Sequence, residues 1–172
     1  RVLFRSELTS IKGGFDLAKT SIPQGSLSSF ANYVAGLMPT QKEVNAIAQA
    51  FRELAEKEET DVYHCTQLYG IGGSIRSAAK LYGDLCNNGN RFNYLLPEHI
   101  DAILNRYAED PNAFAHEALR TLPDRIHTLI PGCVIIREAF KLCGGERLDI
   151  CKYGVREGYL AERVLVKPVS FA

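Results

Sequence analysis

No apolar run in the sequence approaches the ~20 residues that crossing a bilayer requires, and no signal-peptide pattern is present. Neither sign of charge is in excess. Twenty basic residues face 20 acidic ones, the formal net charge is zero, and there is no electrostatic case for nucleic acid. Low-complexity segments, charge blocks and internal repeats are absent. So is any Cys-x-x-Cys: Cys65, Cys86, Cys133, Cys143 and Cys151 are odd in number, irregularly spaced and mostly set among apolar residues. That pattern argues against disulfides and zinc and for a reducing, cytoplasmic setting. Nor do His64, His99, His116 and His127 show His-Glu-x-x-His or comparable ligand spacing, so no metal ligand is assigned. What remains is an ordinary globular composition, 46% hydrophobic and 23% charged. Over 172 residues it predicts a single domain, residues 1–172, able to bury roughly 70% of its unfolded surface.

The most informative stretch runs from Asp61 to Leu81. Asp61 to Tyr69 is rich in β-branched and aromatic residues and predicts a strand. Ile75, Ala78, Ala79 and Tyr82 share one face of a following helix. Between them stands Gly70-Ile71-Gly72-Gly73-Ser74, three glycines in four positions. Such a turn lets another group approach closely, and the helix behind it aims unpaired N–H groups and about half a positive charge at whatever lies over it. Ser74 is placed to cap that helix. The run is either an anion site or a strand-to-helix turn that simply needs glycine. It is neither Gly-x-Gly-x-x-Gly nor a Walker loop, since no Lys-Ser/Thr pair follows the last glycine.

Elsewhere the pattern alternates between strand and helix. Arg1 to Arg5 reads as mid-strand with no methionine before it, so the expectation is a fragment. Leu8–Ile11 and Phe15–Ile22 predict a hairpin turning at Lys12-Gly13-Gly14, closed by Pro23. A short helix follows from Leu27 to Ala35. A stronger one opens with a Thr40/Glu43 capping box, carries Val44, Ile47, Ala48, Phe51, Leu54 and Ala55 at helical spacing, and ends in a solvated cluster, Glu53 to Glu59. Residues 86–90 are a loop by composition. Leu95-Leu96-Pro97 opens a helix, with Pro97 near its first turn and Ile100, Ile103, Leu104 and Tyr107 as its buried stripe, and Asp110-Pro111 opens the next, to about Leu119. After a break at 122–125, Ile126–Leu142 is apolar on several faces and predicts a helix packed inside the domain, started or kinked at Pro131-Gly132 and ended by Gly144-Gly145. Arg147–Cys151 is a strand, Tyr153-Gly154 a turn, and Val155–Leu160 enters a last helix. This order predicts an α/β fold with helix crossovers, ligands at the strands' carboxyl ends, and both glycine turns at that edge.

The stretch Pro123 to Leu160 contains Pro-Asp-Arg-Ile-His-Thr-Leu-Ile-Pro-Gly, then Gly-Gly-Glu-Arg-Leu-Asp-Ile, then Tyr-Gly-Val-Arg-Glu-Gly-Tyr-Leu. It resembles the exopolyphosphatase / guanosine pentaphosphate phosphatase (Ppx/GppA) family, which carries an Arg before a Pro-Gly helix, a strand, and a Leu/Val-Arg-Glu-Gly-x-Leu box. Gly70 to Ser74 looks like that family's Gly-Gly-Thr turn, and Ser21-Ile-Pro-Gln-Gly25-Ser26 like its Ser-Leu-x-x-Gly segment. The resemblance runs from about Glu7 to Glu162. It implies an actin/Hsp70/sugar-kinase-like (ribonuclease-H-like) lobe with a mixed sheet, an N-terminal antiparallel hairpin and flanking helices, and specifically the second of two lobes that close over a phosphate chain. In the family that lobe opens with Asp-x-Gly-Gly-Gly-Ser-Thr-Glu-Leu. Here only Ser6-Glu7-Leu8 match its end, and residues 2–5 stand where the glycines would be.

What the resemblance implies for chemistry is hydrolysis of a phosphoanhydride in inorganic polyphosphate or guanosine pentaphosphate, with Mg²⁺ and with a first lobe as partner. Such a reaction needs a positioned water, a carboxylate to activate it, and donors or a divalent metal for the charge. By resemblance Glu7 is the catalytic carboxylate, activating water or binding metal; the alternative is a surface strand glutamate. Gly72, Gly73 and Ser74 would face the phosphates, with Gly25 on the facing segment, where the alternative is a strand-end turn. Arg125 would pair two phosphate oxygens, or instead Asp124 or Glu138. Arg156 and Glu157 pair with each other or cap the last helix, with Gly158 there for close helix packing. A lobe on its own is expected to expose an apolar face and to dimerise through it. Two other readings stay open: a non-catalytic nucleotide- or phosphate-binding module of the same fold, and a kinase or ATPase lobe, against which the Arg-Glu-Gly box argues.

Overall fold

The second helix starts where its capping box places it. In a computed structural model, which describes residues 5–58 and 63–165, the Thr40 hydroxyl accepts from the Glu43 amide while a Glu43 carboxylate oxygen accepts from the Thr40 amide at 2.7 Å. The bond from the Thr40 amide, with a second from the Ala35 amide at 3.0 Å, holds the Glu43 carboxyl below the usual carboxylate range. Before this helix come β1 (Ser6–Lys12), β2 (Phe15–Ile22) and α1 (Ser26–Tyr33); the helix itself is α2 (Gln41–Glu56). β1 and β2 pair antiparallel from Ser6↔Ile22 to Lys12↔Phe15, with a register shift at Ser10/Ile11, and turn at Gly13-Gly14 as the sequence suggests.

Next come β3 (Gln67–Gly70), α3 (Gly73–Cys86), β4 (Tyr94–Leu95), α4 (Pro97–Glu109) and α5 (Pro111–Thr121). A 3-10 turn, Pro123–Arg125, leads into α6 (Ile126–Cys143), then β5 (Arg147–Ile150), α7 (Val155–Leu160) and a π turn to Leu165. The strand expected over 61–69 is shorter than its composition suggests. Asp61 and Val62 lie outside the described residues, and the extended ladder starts only at Gln67. The physical reason is tertiary: the Cys65 amide donates to the Cys143 carbonyl at 2.8 Å and the Thr66 carbonyl accepts from Glu146 and Arg147, so the chain first bends around the end of α6. Leu95, expected at the opening of a helix, belongs instead to β4, and Leu96 is the N-cap; two strand residues give no periodicity to read.

β3 and β5 run parallel, Gln67↔Arg147 to Gly70↔Ile150, and β4 joins β5 antiparallel. The sheet is therefore mixed, in order β3-β5-β4. The hairpin forms a separate two-stranded sheet among the described residues instead of extending it. Both parallel strands end at the same edge, where the Cys151 amide donates to the Gly70 carbonyl at 2.9 Å.

α6 is the core of the molecule. Ile130, Pro131, Gly132, Cys133, Val134, Ile135 and Ile136 are all buried, and α1, α2, α3 and α4 pack around the helix. Pro131 lies inside α6, which starts five residues earlier, so it does not start the helix. An interior proline costs about 3 kcal/mol. Burying Ile130, Val134, Ile135 and Ile136 at about 1.5–3 kcal/mol each more than offsets that cost. A second, smaller cluster, Ile22, Phe51, Ala55 and Ile135, pins the hairpin to the back of α2. No helix among the described residues is long and apolar enough to cross a membrane.

Candidate anion-binding site

β3 ends at Gly70 and α3 begins at Gly73, so the chain reverses within two residues. Gly72 does this at φ 131°, ψ 169°, a region that side chains essentially never enter. Gly72, not Ser74, is therefore the N-cap of α3; Ser74 lies inside the first turn because only glycine satisfies the turn ahead of it. No side chain caps α3, so its first N–H groups face outward without an intrahelical acceptor.

α1 is built alike. Its N-cap, Gly25, likewise has no side chain to offer the first turn, although here Ser28 Oγ accepts from the Gly25 amide itself at 2.8 Å. Gln24 holds this turn from behind: it is 3% exposed, its side-chain amide donates to Ser29 Oγ and to the Ile47 carbonyl at 3.0 Å each, and its main-chain carbonyl accepts from Ser6 Oγ at 2.7 Å.

The two N-termini meet. Ser26 Oγ, in the first turn of α1, lies 3.0 Å from Ser74 Oγ, in the first turn of α3. Gly132 of α6 lies beneath the pair: a Cβ on it would stand 3.3 Å from Ser74 Cβ and 3.6 Å from Ser26 Cβ. Arg125, at the N-terminus of α6, lays its guanidinium on Gly73. A Cβ there would be 2.7 Å from Nη2, 2.8 Å from Nη1 and 2.9 Å from Cζ. Among the described residues Arg125 pairs with neither Asp124 nor Glu138. Glu138 is held instead by Arg52 at 2.8 Å, Lys141 at 3.1 Å and Arg137 at 3.3 Å. Two helix N-termini and one free guanidinium together place about two positive charges around this spot.

The fold thus gathers Gly25, Gly72, Gly73, Ser74 and Arg125, which lie up to 100 residues apart in sequence. It does not gather Glu7. Strand alternation turns Ser6 toward Gln24 and Glu7 outward, opposite Ser21. Glu7 is exposed and makes no hydrogen bond or ion pair among the described residues. Ser26 and Gly132 belong to the cluster although neither was singled out from the sequence. Both were visible within the Ser-Ile-Pro-Gln-Gly-Ser and Pro-Gly segments; nothing in their spacing said that these segments touch.

The donor set does not suit a resident Mg²⁺. That ion wants oxygen ligands, normally including one or two carboxylates, whereas this cluster offers N–H groups, two hydroxyls and a cation. No group of three or more His, Cys, Asp or Glu among the described residues is placed to hold a metal. At the other end of the edge, Glu157 accepts from the Gly154 amide at 2.8 Å and so caps α7. That bond, ahead of the Arg156 and Arg76 charges, keeps its carboxyl below the usual range. Gly158 serves no close packing among the described residues, where a Cβ on it would meet nothing within 4 Å.

No protein-family model matches the sequence, and no curated protein matches it. Solved structures do resemble the folded chain. The Aquifex aeolicus member of the Ppx/GppA protein family superposes with a TM-score of 0.71 at 22% identity, over 94% of this chain and 53% of that one. A type II variant of the Aquifex aeolicus Ppx/GppA phosphatase gives 0.72 at 22% identity, over 93% and 54%. An exopolyphosphatase from Cytophaga hutchinsonii gives 0.73 at 15% identity, over 92% and 53%. At these identities the likeness is one of fold. The chain has the α/β fold of the Ppx/GppA structures, the family its motifs resemble, and spans about half the length of those proteins.

Proposed function

We propose that this chain is the second lobe of a Ppx/GppA-type phosphatase, which releases orthophosphate from inorganic polyphosphate or guanosine pentaphosphate and is inactive or weak without its first lobe. The observation that carries the reading is the convergence of two helix N-termini with glycine N-caps, at Gly25 and Gly72, with the Arg125 guanidinium, which makes no ion pair among the described residues. Outward N–H groups and a planar guanidinium match the oxygens of a phosphoryl group and stabilise charge building on it. In this reading Ser26 and Ser74 orient the same phosphate. Glu7, at the start of β1, would activate water only in company with residues of the other lobe. No step is derived through a metal, since the cluster has no carboxylate to offer one.

The partner lobe is supported by the apolar surface left at the chain's last described elements. Val155, Tyr159, Leu160, Val164 and Leu165 are all exposed, Leu165 to 73%. A face of that kind usually marks an interface; a homodimer is the competing occupant. The absence of a carboxylate from the cluster favours a second reading, a module that binds a phosphate group without hydrolysing it. Phosphate release from polyphosphate and from guanosine pentaphosphate, with Mg²⁺ present, separates the two when this chain and the full-length gene product are compared. Activity in the full product alone is the expected result. Activity in neither, with phosphate binding retained, overturns the phosphatase and leaves the module.

A further inference from the structure

All five cysteines are free thiols, and two of them meet. Cys143 closes α6, where the last carbonyls have no donor within the helix. The Cys65 amide supplies one, donating to the Cys143 carbonyl at 2.8 Å. With fixed N–Cα and Cα–C=O dimensions, that bond keeps the two Cα atoms within about 6.7 Å of each other. Disulfides span Cα separations of about 4.4–6.8 Å. The backbone is held on both sides of the pair. The Thr66 carbonyl accepts from the Glu146 and Arg147 amides at 2.8 and 3.1 Å, and the Gly145 amide donates to the Phe140 carbonyl at 2.9 Å. No other two cysteines are joined by a backbone hydrogen bond among the described residues.

The two thiols differ as the members of a redox pair must. Cys65 is exposed, and its S–H donates weakly to the Gln67 carbonyl at 3.0 Å. Cys143 is 4% exposed. Burial pushes its thiol up, and charge on Cys65 pushes it further. Tyr63, raised chiefly by its own burial, also feels charge on Cys143. The Cys143 sulfur thus lies within electrostatic reach of residues 63–65. An oxidant arriving from solvent meets Cys65 first, because exposure and thiolate character decide which thiol reacts.

We propose that Cys65 and Cys143 form a reversible dithiol–disulfide pair, oxidised by hydrogen peroxide that enters at Cys65. In the first step the Cys65 thiolate attacks one peroxide oxygen and the O–O bond breaks. The departing hydroxide takes up the proton that Cys65 lost, giving water and a sulfenic acid on Cys65. In the second step the Cys143 sulfur attacks the Cys65 sulfur, the S–O bond breaks, and the oxygen departs as water with the Cys143 proton. Two thiols and one peroxide become one disulfide and two waters. A reducing setting keeps the pair open, and thiol exchange reopens it after oxidation. The bridge closes a loop from the approach to β3 to the end of α6, whatever binds at the glycine turn inside that loop.

Limited oxidation of the reduced, folded chain with hydrogen peroxide, read by mass spectrometry of non-reduced peptides, tests it. Wild type is expected to lose about 2 Da and to yield a linked Cys65–Cys143 peptide that dithiothreitol separates. Cys143→Ala is expected to stop at a gain of about 16 Da, with the oxygen on Cys65 and trapped there by dimedone. Cys65→Ser changes an exposed residue conservatively and should leave Cys143 a free thiol. In urea the bridged chain should unfold at a midpoint about 1 M or more above that of the reduced chain, because the closed loop is long. The pair is refuted by a linked peptide that forms only in unfolded chain, or by Cys65 oxidised on to sulfinic acid in folded wild type while Cys143 stays free. Oxidation of Cys143 at an unchanged rate in Cys65→Ser, or a bridge that lowers the urea midpoint, refutes it as well.

Discussion

The contact between Gly73 and Arg125 can be tested by adding one methyl group. In Gly73→Ala the new Cβ would lie 2.7–2.9 Å from three guanidinium atoms, so Arg125 must retreat to an ordinary contact of 3.4–4 Å. The obstructing atoms are the far end of a flexible, exposed side chain, so the move costs the fold little. Gly73 is also the first residue of α3, where alanine recovers part of the ~1 kcal/mol by which it outranks glycine in helices. Stability should therefore change by less than about 1 kcal/mol in either direction. Anion binding should not be spared. A shift of roughly 1 Å takes a guanidinium out of hydrogen-bonding geometry, which is lost steeply with distance and angle. Hydrogen bonds to charged groups contribute about 1.5–3 kcal/mol, so affinity for orthophosphate should fall about ten- to a hundredfold.

The assay is calorimetric titration with orthophosphate alongside urea unfolding, on wild type, Gly73→Ala, Arg125→Ala and the double variant. If Gly73 acts only by making room for Arg125, the two losses overlap, and the double variant binds no worse than Arg125→Ala alone. Fully additive losses would refute that account, and so would a Gly73→Ala variant that binds phosphate like wild type.

Two further predictions concern buried charge. Glu138 is buried, and although burial alone would raise its pKa, the hydrogen bonds and charges of Arg52 and Lys141 hold it below 4.5. Its ionised form thus contributes stability above about pH 4.5 that is lost as pH falls through the lower folded value; Glu138→Gln should cost about 1–3 kcal/mol at pH 7 and flatten the acid limb of a urea-midpoint against pH curve. His99 is buried against Tyr82 and its pKa is lowered, chiefly by that burial, from 6.5. The unfolded chain therefore binds the proton more readily, stability falls as pH drops below about 6.5, and His99→Phe should remove that slope; an unchanged slope would show that His99 is not its source.

Elements were legible where local chemistry alone decides them. The Thr40/Glu43 box, Pro97, Asp110-Pro111 and the hairpin glycines set their boundaries to within a residue or two, because caps and turns involve neighbours in sequence. The region before β3 was misread because a bond from Cys65 to Cys143, 78 residues on, overrides strand propensity there. Ser74 was misread as a cap because hydroxyls usually are caps, whereas the turn ahead of α3 needs φ > 0 and only Gly72 provides it. The place of Gly158 in a motif suggests a packing role, and the open space around it among the described residues shows that composition does not report proximity.

The site itself was half legible, and the division has a physical cause. Each glycine turn announces that something must approach it, but not what. Gly25, Gly72 and Gly132 became one site only because α6, buried along most of its length, fixes the starts of α1 and α3 side by side with Arg125 at its own N-terminus. The buried, largely apolar α6 thus positions a polar cluster. Changes along α6 that leave Arg125 and both serines intact, such as enlarging Gly132, should therefore act on anion binding before they act on stability. A Cβ there enters at 3.3 Å from Ser74, where a shift of a few tenths of an ångström is easily absorbed by packing but is felt directly by two hydroxyls 3.0 Å apart.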